Sequence, residues 1–164
     1  MPDTAEEYLV TQLKNAHALE QMSLQMTAAA AKAAEDDELR KLFDVHHQQT
    51  ENHERLIRER LEAHGQGPST LKDLAAKVAA VGKGATAALP DDKRGRIVRD
   101  GYIQEQIEIA SYELLRRVAD RTGDRETAEV AERILDEERE AAARLAHNWE
   151  RAAELSLQSA VAGG

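Results

Sequence analysis

Apolar side chains recur at spacings of three and four along four long stretches of this chain, and that rhythm constrains its fold more than any other feature. Leu9, Leu13, Ala16, Leu19, Leu24 and Ala30 mark the first stretch, and Leu39, Leu42, Phe43, Ile57 and Leu61 the second. Val98, Tyr102, Ile109, Tyr112 and Leu115 mark the third, and Ala128, Ala131, Ile134, Leu135, Leu145 and Trp149 the fourth. A period near 3.6 belongs to amphipathic helices, whereas a half-buried strand alternates at two. Aromatic residues make up 3% of the 164 positions, too few for the aromatic and β-branched strands of a sandwich or barrel. The chain therefore reads as all-α.

Local signals bound the helices. Thr4 and Glu7 form a candidate capping box for a first helix over about residues 4–34. Asp36 and Asp37 suit the start of a second helix over about 37–64, which Gly65-Gln66-Gly67-Pro68 terminates. Pro90-Asp91-Asp92 opens a third helix ending at Thr122, and the turn Thr122-Gly123-Asp124 leads into a fourth over about 125–157. The connector between the second and third helices is long and holds a short helix over about 71–81. Short turns make helices one and two, and three and four, antiparallel neighbours. The long connector lets the chain cross the length of the bundle. This is a ferritin-like four-helix bundle with one crossover. Residues 1–157 are expected to form one domain and residues 158–164 a flexible tail.

Charge and composition narrow the function. The formal charge of −9 argues against duplex nucleic acid or an anionic membrane as a partner, and favours cations. No apolar run approaches the roughly 20 residues of a membrane span, and the acidic start lacks the apolar centre of a signal peptide. The chain has no Cys, which removes disulfides, thiolate metal sites and Cys nucleophiles and fits a reducing cytoplasm.

The informative residues are ionisable groups inside the apolar stripes, where a charge is costly unless paired or bound to metal. They are Glu20 on the first helix, His46 and His53 on the second, Glu105 and Glu108 on the third, and Glu138 on the fourth. His46 and His53 are seven apart and lie within about 20° of one another on a helix. Counting back from the hairpin turns puts Glu20 level with Thr50 and His53, and Glu108 level with Glu138. All six groups can therefore meet in one mid-bundle layer. Carboxylate and imidazole donors together suit iron, manganese or zinc rather than calcium, and bridging carboxylates would hold two ions roughly 3.5–4 Å apart. Glu51, Glu54, Glu62, Glu137 and Glu140 fall toward outer faces. His17, His47, His64 and His147 read as surface histidines, Tyr102 and Tyr112 as core packing, and Trp149 as packing near a bundle end.

The diiron pattern of ferritin-like bundles takes one Glu from each of two helices and Glu-x-x-His from each of the others. Here Thr50-x-x-His53 has Thr in place of Glu, and Glu138-x-x-Ala141 has Ala in place of His. His46 and Glu108 are candidates to replace the missing ligands. Four segments carry a resemblance to a known family: His17-Ala18-Leu19-Glu20-Gln21; Leu39 to His46 with Thr50 and His53; Glu105 to Tyr112; and Leu135-Asp136-Glu137-Glu138. Over about residues 5–150 the chain resembles the YciF/YciE-like ferritin-like proteins, the DUF892 family. Gln106 and Ala142 depart from it, standing where the family often has His and Asp. The resemblance implies a bacterial stress-associated bundle, often dimeric, with a dimetal centre.

The expected function is a cytoplasmic, dimeric, dimetal iron or manganese protein handling peroxide or oxygen under stress, with Glu20, His46, His53, Glu105, Glu108 and Glu138 as metal residues. Thr50 would hydrogen-bond a bound water or carboxylate. Whether such a protein is an enzyme is left open. A second possibility is a metal-free bundle whose Glu–His–Tyr network serves a structural or interaction role. An iron-storage cage is a third, for which the sequence offers no subunit-contact signature.

Overall fold

The structure, a computed structural model, describes residues 4–67 and 95–162. Among the described residues five helices follow in order: α1 Ala5–Ala33, α2 Asp37–Ala63, α3 Arg96–Thr122, α4 Arg125–Ala146 and α5 Trp149–Ala162. The expected short helix over 71–81 and the Pro90-Asp91-Asp92 start lie outside the described residues. Among the described residues, no helix is long and apolar enough to cross a membrane.

The caps are those the sequence suggests. Thr4 Oγ1 accepts from the Glu7 amide at 3.1 Å while the Glu7 carboxylate accepts from the Thr4 amide at 3.3 Å. Asp36 accepts from the Glu38 and Leu39 amides at 3.0 and 2.9 Å. Gly123, at φ +78°, ends α3 in the left-handed region that a side chain would strain. Asp124 then caps α4 through the Thr127 amide at 3.0 Å.

Cross-helix contacts fix the directions. His17 meets Glu54 and Thr27 meets His47, so α1 and α2 are antiparallel. Ser23 meets Glu108 and Glu20 meets Tyr112, so α1 and α3 are antiparallel. Arg60 meets Thr127 and Gln49 meets Arg144, which sets α2 against α4. It follows that α2 and α3 run parallel, and a parallel pair consecutive in sequence requires a crossover. The core falls into two apolar halves. Leu9, Leu13, Ile57, Leu61, Leu115 and Ile134 belong to one, and Leu39, Phe43, Val98 and Leu145 to the other. Burying each such side chain contributes about 1.5–3 kcal/mol.

The fourth helix departs from expectation. It breaks at His147 and Asn148, and α5 continues through Ala162, past the expected start of the tail. Asn148 Nδ2 donates to the Arg144 carbonyl at 2.8 Å and His147 Nδ1 to the Ala143 carbonyl at 2.7 Å, so side chains take acceptors of the last helical turn. Helix α5 then packs across the start of α3. A Cβ on Gly95 would run into the Ala152 carbonyl and the Ser156 hydroxyl. Trp149 stands edge-on to Tyr102, with ring centroids 5.5 Å apart, and Arg151 ties α5 to Asp36 at 2.6 Å.

At the opposite end, Arg60 forks onto Thr127 Oγ1 at 2.9 Å, Asp124 Oδ1 at 3.1 Å and Glu126, while His64 meets Asp124 Oδ2 at 2.7 Å. Desolvation pushes the Asp124 carboxyl up, but the Thr127 hydroxyl and amide, His64 and Arg60 outweigh it and hold it at about 2. A depressed carboxyl stabilises the fold above its unfolded value near 3.9 and loses that contribution as pH falls toward 2. Asp124→Ala is therefore expected to cost about 1–2 kcal/mol through the lost cap. Urea titrations should show the gap from wild type closing between pH 5 and pH 2.

Candidate metal centre

Each helix of the four-helix core places one or two ionisable groups on its inward stripe at the junction of the two apolar halves. Glu20, His53, Glu108 and Glu138 are 0% exposed, Glu105 2% and His46 3%. All six expected residues meet there, in two groups that share Glu138. Donor atoms of His46, Glu105, Glu108 and Glu138 lie within 4.8 Å of one another, as do those of Glu20, His53 and Glu138.

Glu138 faces both ways. Its Oε1 is 2.9 Å from His53 Nδ1 and its Oε2 is 3.7 Å from His46 Nε2. His46 Nε2 also stands 3.1 Å from Glu105 Oε1, and His53 Nδ1 is 3.8 Å from Glu20 Oε2. These atoms are close, yet His46 Nε2, His53 Nδ1 and both Glu138 oxygens lack an aligned hydrogen bond. Glu20 Oε2, Glu105 Oε2 and Glu108 Oε1 are buried without one as well. Buried polar atoms are ordinarily satisfied. A ring of lone-pair-bearing atoms aimed at shared points, rather than at each other's protons, is a donor set fitted to cations.

Neighbouring side chains orient the cluster from behind. Tyr112 Oη donates to Glu20 Oε1, leaving Oε2 inward. Ser23 Oγ donates to Glu108 Oε2 at 3.4 Å, leaving Oε1 inward. His53 Nε2 donates to Glu137 Oε2 at 2.9 Å, which leaves Nδ1 as the nitrogen that faces the cluster. A carboxylate behind an imidazole is the usual support of a metal-binding histidine. Glu137, expected on an outer face, thus reaches into the site, and the acidic pair Glu137-Glu138 was its only mark in the sequence. Tyr112, expected as core packing, is buried but also holds a cluster carboxylate.

Four other residues sit differently from the sequence reading. Thr50 Oγ1 donates to the His46 carbonyl at 2.9 Å, so its proton goes to the backbone and its oxygen lone pairs remain to accept from a donor such as water. His17 is fully buried and bonds Glu54 at 2.9 Å across the α1–α2 seam. His47 and His64 are partly shielded, the one against Thr27 and the other against Asp124.

Burial pushes Glu20 up to about 8, against the pull of His53, and Glu105 up to about 7, against the pull of His46. Burial and the charges of Glu20 and Glu138 raise Glu108 well above the carboxylate range. Burial lowers His53, but Glu138, Glu20 and Glu137 outweigh it and raise it to about 9. Glu138, between the two imidazoles, moves down despite its burial. A carboxyl or imidazole whose value rises on folding stabilises the fold at low pH and loses that contribution as pH rises through the folded value. Glu138, lowered on folding, contributes stability that is constant above pH 4.5 and is lost only below it, so it does not oppose this. In chelator, the melting temperature should fall steadily from pH 5.5 to 9, and Glu20→Gln should flatten the fall. A flat profile for the wild type would contradict the geometry.

A family model described as Domain of unknown function (DUF892) matches residues 4–158. A crystal structure of a protein from Xanthomonas campestris pv. campestris superposes with a TM-score of 0.79 at 26% identity, covering 95% of this chain and 98% of that one. The E. coli stress protein YciF superposes with a TM-score of 0.75 at 18% identity, over 93% and 99%. Desulfovibrio desulfuricans bacterioferritin, whose diiron site is known in different catalytic states, superposes with a TM-score of 0.75 at 19% identity, over 93% and 84%.

Proposed function

The chain belongs to the DUF892 family, and on that footing we propose that it is a ferritin-like dimetal carboxylate protein that binds iron or manganese in its core and serves in stress or in peroxide and oxygen handling. The observation that carries this reading is Glu138, whose two oxygens are directed to His53 on one side and His46 on the other. Charge supports it. Four carboxylates with two neutral imidazoles carry −4, which two divalent ions balance. The mixed oxygen and nitrogen donors favour iron, manganese or zinc over calcium.

The assigned roles follow from the contacts. Glu138 bridges. Glu105, Glu108 and His46 serve one position, and Glu20 and His53 the other. Tyr112, Ser23 and Glu137 hold the ligands in place. Iron or manganese bound there would supply redox chemistry toward peroxide or oxygen. The two positions are unequal, with four donor residues against three. The side with three donor residues would be the more open to an added ligand. The stress association is that of the E. coli relative, and a cytoplasmic homodimer is part of the proposal.

Calorimetry on chelator-treated protein should resolve two Mn(II) or Fe(II) steps of different affinity. His53→Ala should lose the weaker step alone, and Glu138→Ala both. At a hundredfold excess over Kd, a ligand specific to the native state adds about 2.7 kcal/mol, or about 5–10 °C in Tm for a chain of this size. An unchanged Tm would favour the second reading, a metal-free Glu–His–Tyr network in a structural role, which the Tyr112–Glu20 and His53–Glu137 bonds support. Sedimentation should give twice the chain mass; a much larger particle would point to a storage cage.

A further inference from the structure

The cluster is sealed on nearly every side, but a cavity of about 390 Å³ reaches it between the end of α1 and the start of α3. That volume lies within the range of small-molecule sites. Its walls are largely apolar: Met26, Ala30, Phe43 and Ile97 line it, with the ion-paired Arg96 and Asp100 also on its lining. Gly101 lets the Phe43 ring close the wall, since a Cβ there would stand 3.1 Å from Phe43 Cε1. The inner end is formed by Gln104 and Glu105. Gln104 is 5% exposed. Its side chain leans on Glu108 and favours the ionised carboxylate there, yet its Nε2 makes no aligned hydrogen bond. Buried amide donors of this kind are costly to leave unmet.

The charge pattern selects the occupant. Asp100 at the rim is paired with Arg96 at 3.3 Å and Arg99 at 2.8 Å, so it offers no free charge to draw a hydrated cation inward. An apolar wall would not repay the dehydration of such an ion. An anion would meet the carboxyl oxygens of Glu105 at the inner end. An uncharged molecule with an oxygen acceptor and a short hydrocarbon body meets neither obstacle. We propose that this cavity binds a small uncharged organic molecule with an oxygen-bearing head, an alcohol or alkyl hydroperoxide in class, its head at Gln104 and Glu105 beside the cluster. This deepens the dimetal reading and rests on it only for what the head meets inside; the binding itself is separable.

The test uses chelator-treated protein, with 1-hexanol as the probe and hexanoate and hexylammonium as charged controls of equal length. NMR titration with 1-hexanol should shift the Gln104 side-chain and Gly101 amide signals saturably, with weaker effects from both controls. Ala30→Trp, or the more exposed Ala29→Trp if the first fails to fold, should weaken 1-hexanol binding by about tenfold or more while leaving Mn(II) stoichiometry at the wild-type value. No saturable shift with 1-hexanol, tighter binding of either ion, or undiminished binding in a folded tryptophan variant would overturn the proposal. Loss of Mn(II) binding in wild type with 1-hexanol binding intact would instead remove the dimetal reading and leave the cavity assignment standing.

Discussion

Packing four carboxyls and two imidazoles into the centre of a helical bundle is the constraint to which the rest of this structure answers. Taking an ion out of water costs of order several kcal/mol even after relaxation, and this layer removes six ionisable groups at once. Two apolar halves on either side supply the burial that offsets it. Without a cation the layer must hold protons in place of charge, which is why burial carries Glu20, Glu105 and Glu108 upward while Glu138, between two imidazoles, moves down. Protons and metal ions are competing answers to the same electrostatic problem.

The topology is what lets four separate stretches of chain contribute to one layer. Antiparallel hairpins place Glu20 near His53 and Glu138 near Glu105, while the parallel course of α2 and α3 joins the hairpins across the bundle. The two ends are then clamped differently. At one, Arg60 and His64 grip the α3–α4 turn through Asp124. At the other, α5 folds across α3 and Arg151 reaches the α1–α2 turn. The polar layer is thus held between two apolar halves with ionic closures beyond them, and its side chains are aimed by neutral or acidic neighbours rather than by solvent.

Much of this was legible in the chain. The 3.6 period exposed the helices, Thr4, Asp36 and Gly123 marked their ends, and the six core residues stood out as charges on apolar stripes. Level counting from the hairpin turns worked because helices have a fixed rise. What escaped depended on partners remote in sequence. His17 looks like a surface residue until Glu54 arrives from α2. Glu137 looks solvated until His53 turns its second nitrogen outward. Thr50 keeps the position of a ligand but gives its hydroxyl proton to its own helix, a local bond that periodicity cannot reveal. The break at His147 and Asn148 falls between two runs of good helix formers; two weaker formers alone do not end a helix, and the side chains that fold back on carbonyls accompany the break.

The grip on His53 has a mechanical consequence. Consecutive residues of α4 touch the two nitrogens of a single ring, Glu137 at Nε2 and Glu138 at Nδ1, each at 2.9 Å. Neighbours on a helix point about 100° apart, so only an object wedged in the groove between two helices can be reached by both. The imidazole is a key in a slot: α4 cannot roll about its own axis or slip along α2 without releasing one nitrogen or the other. Alignment of α4 on α2 is thereby tied to the position of one ring.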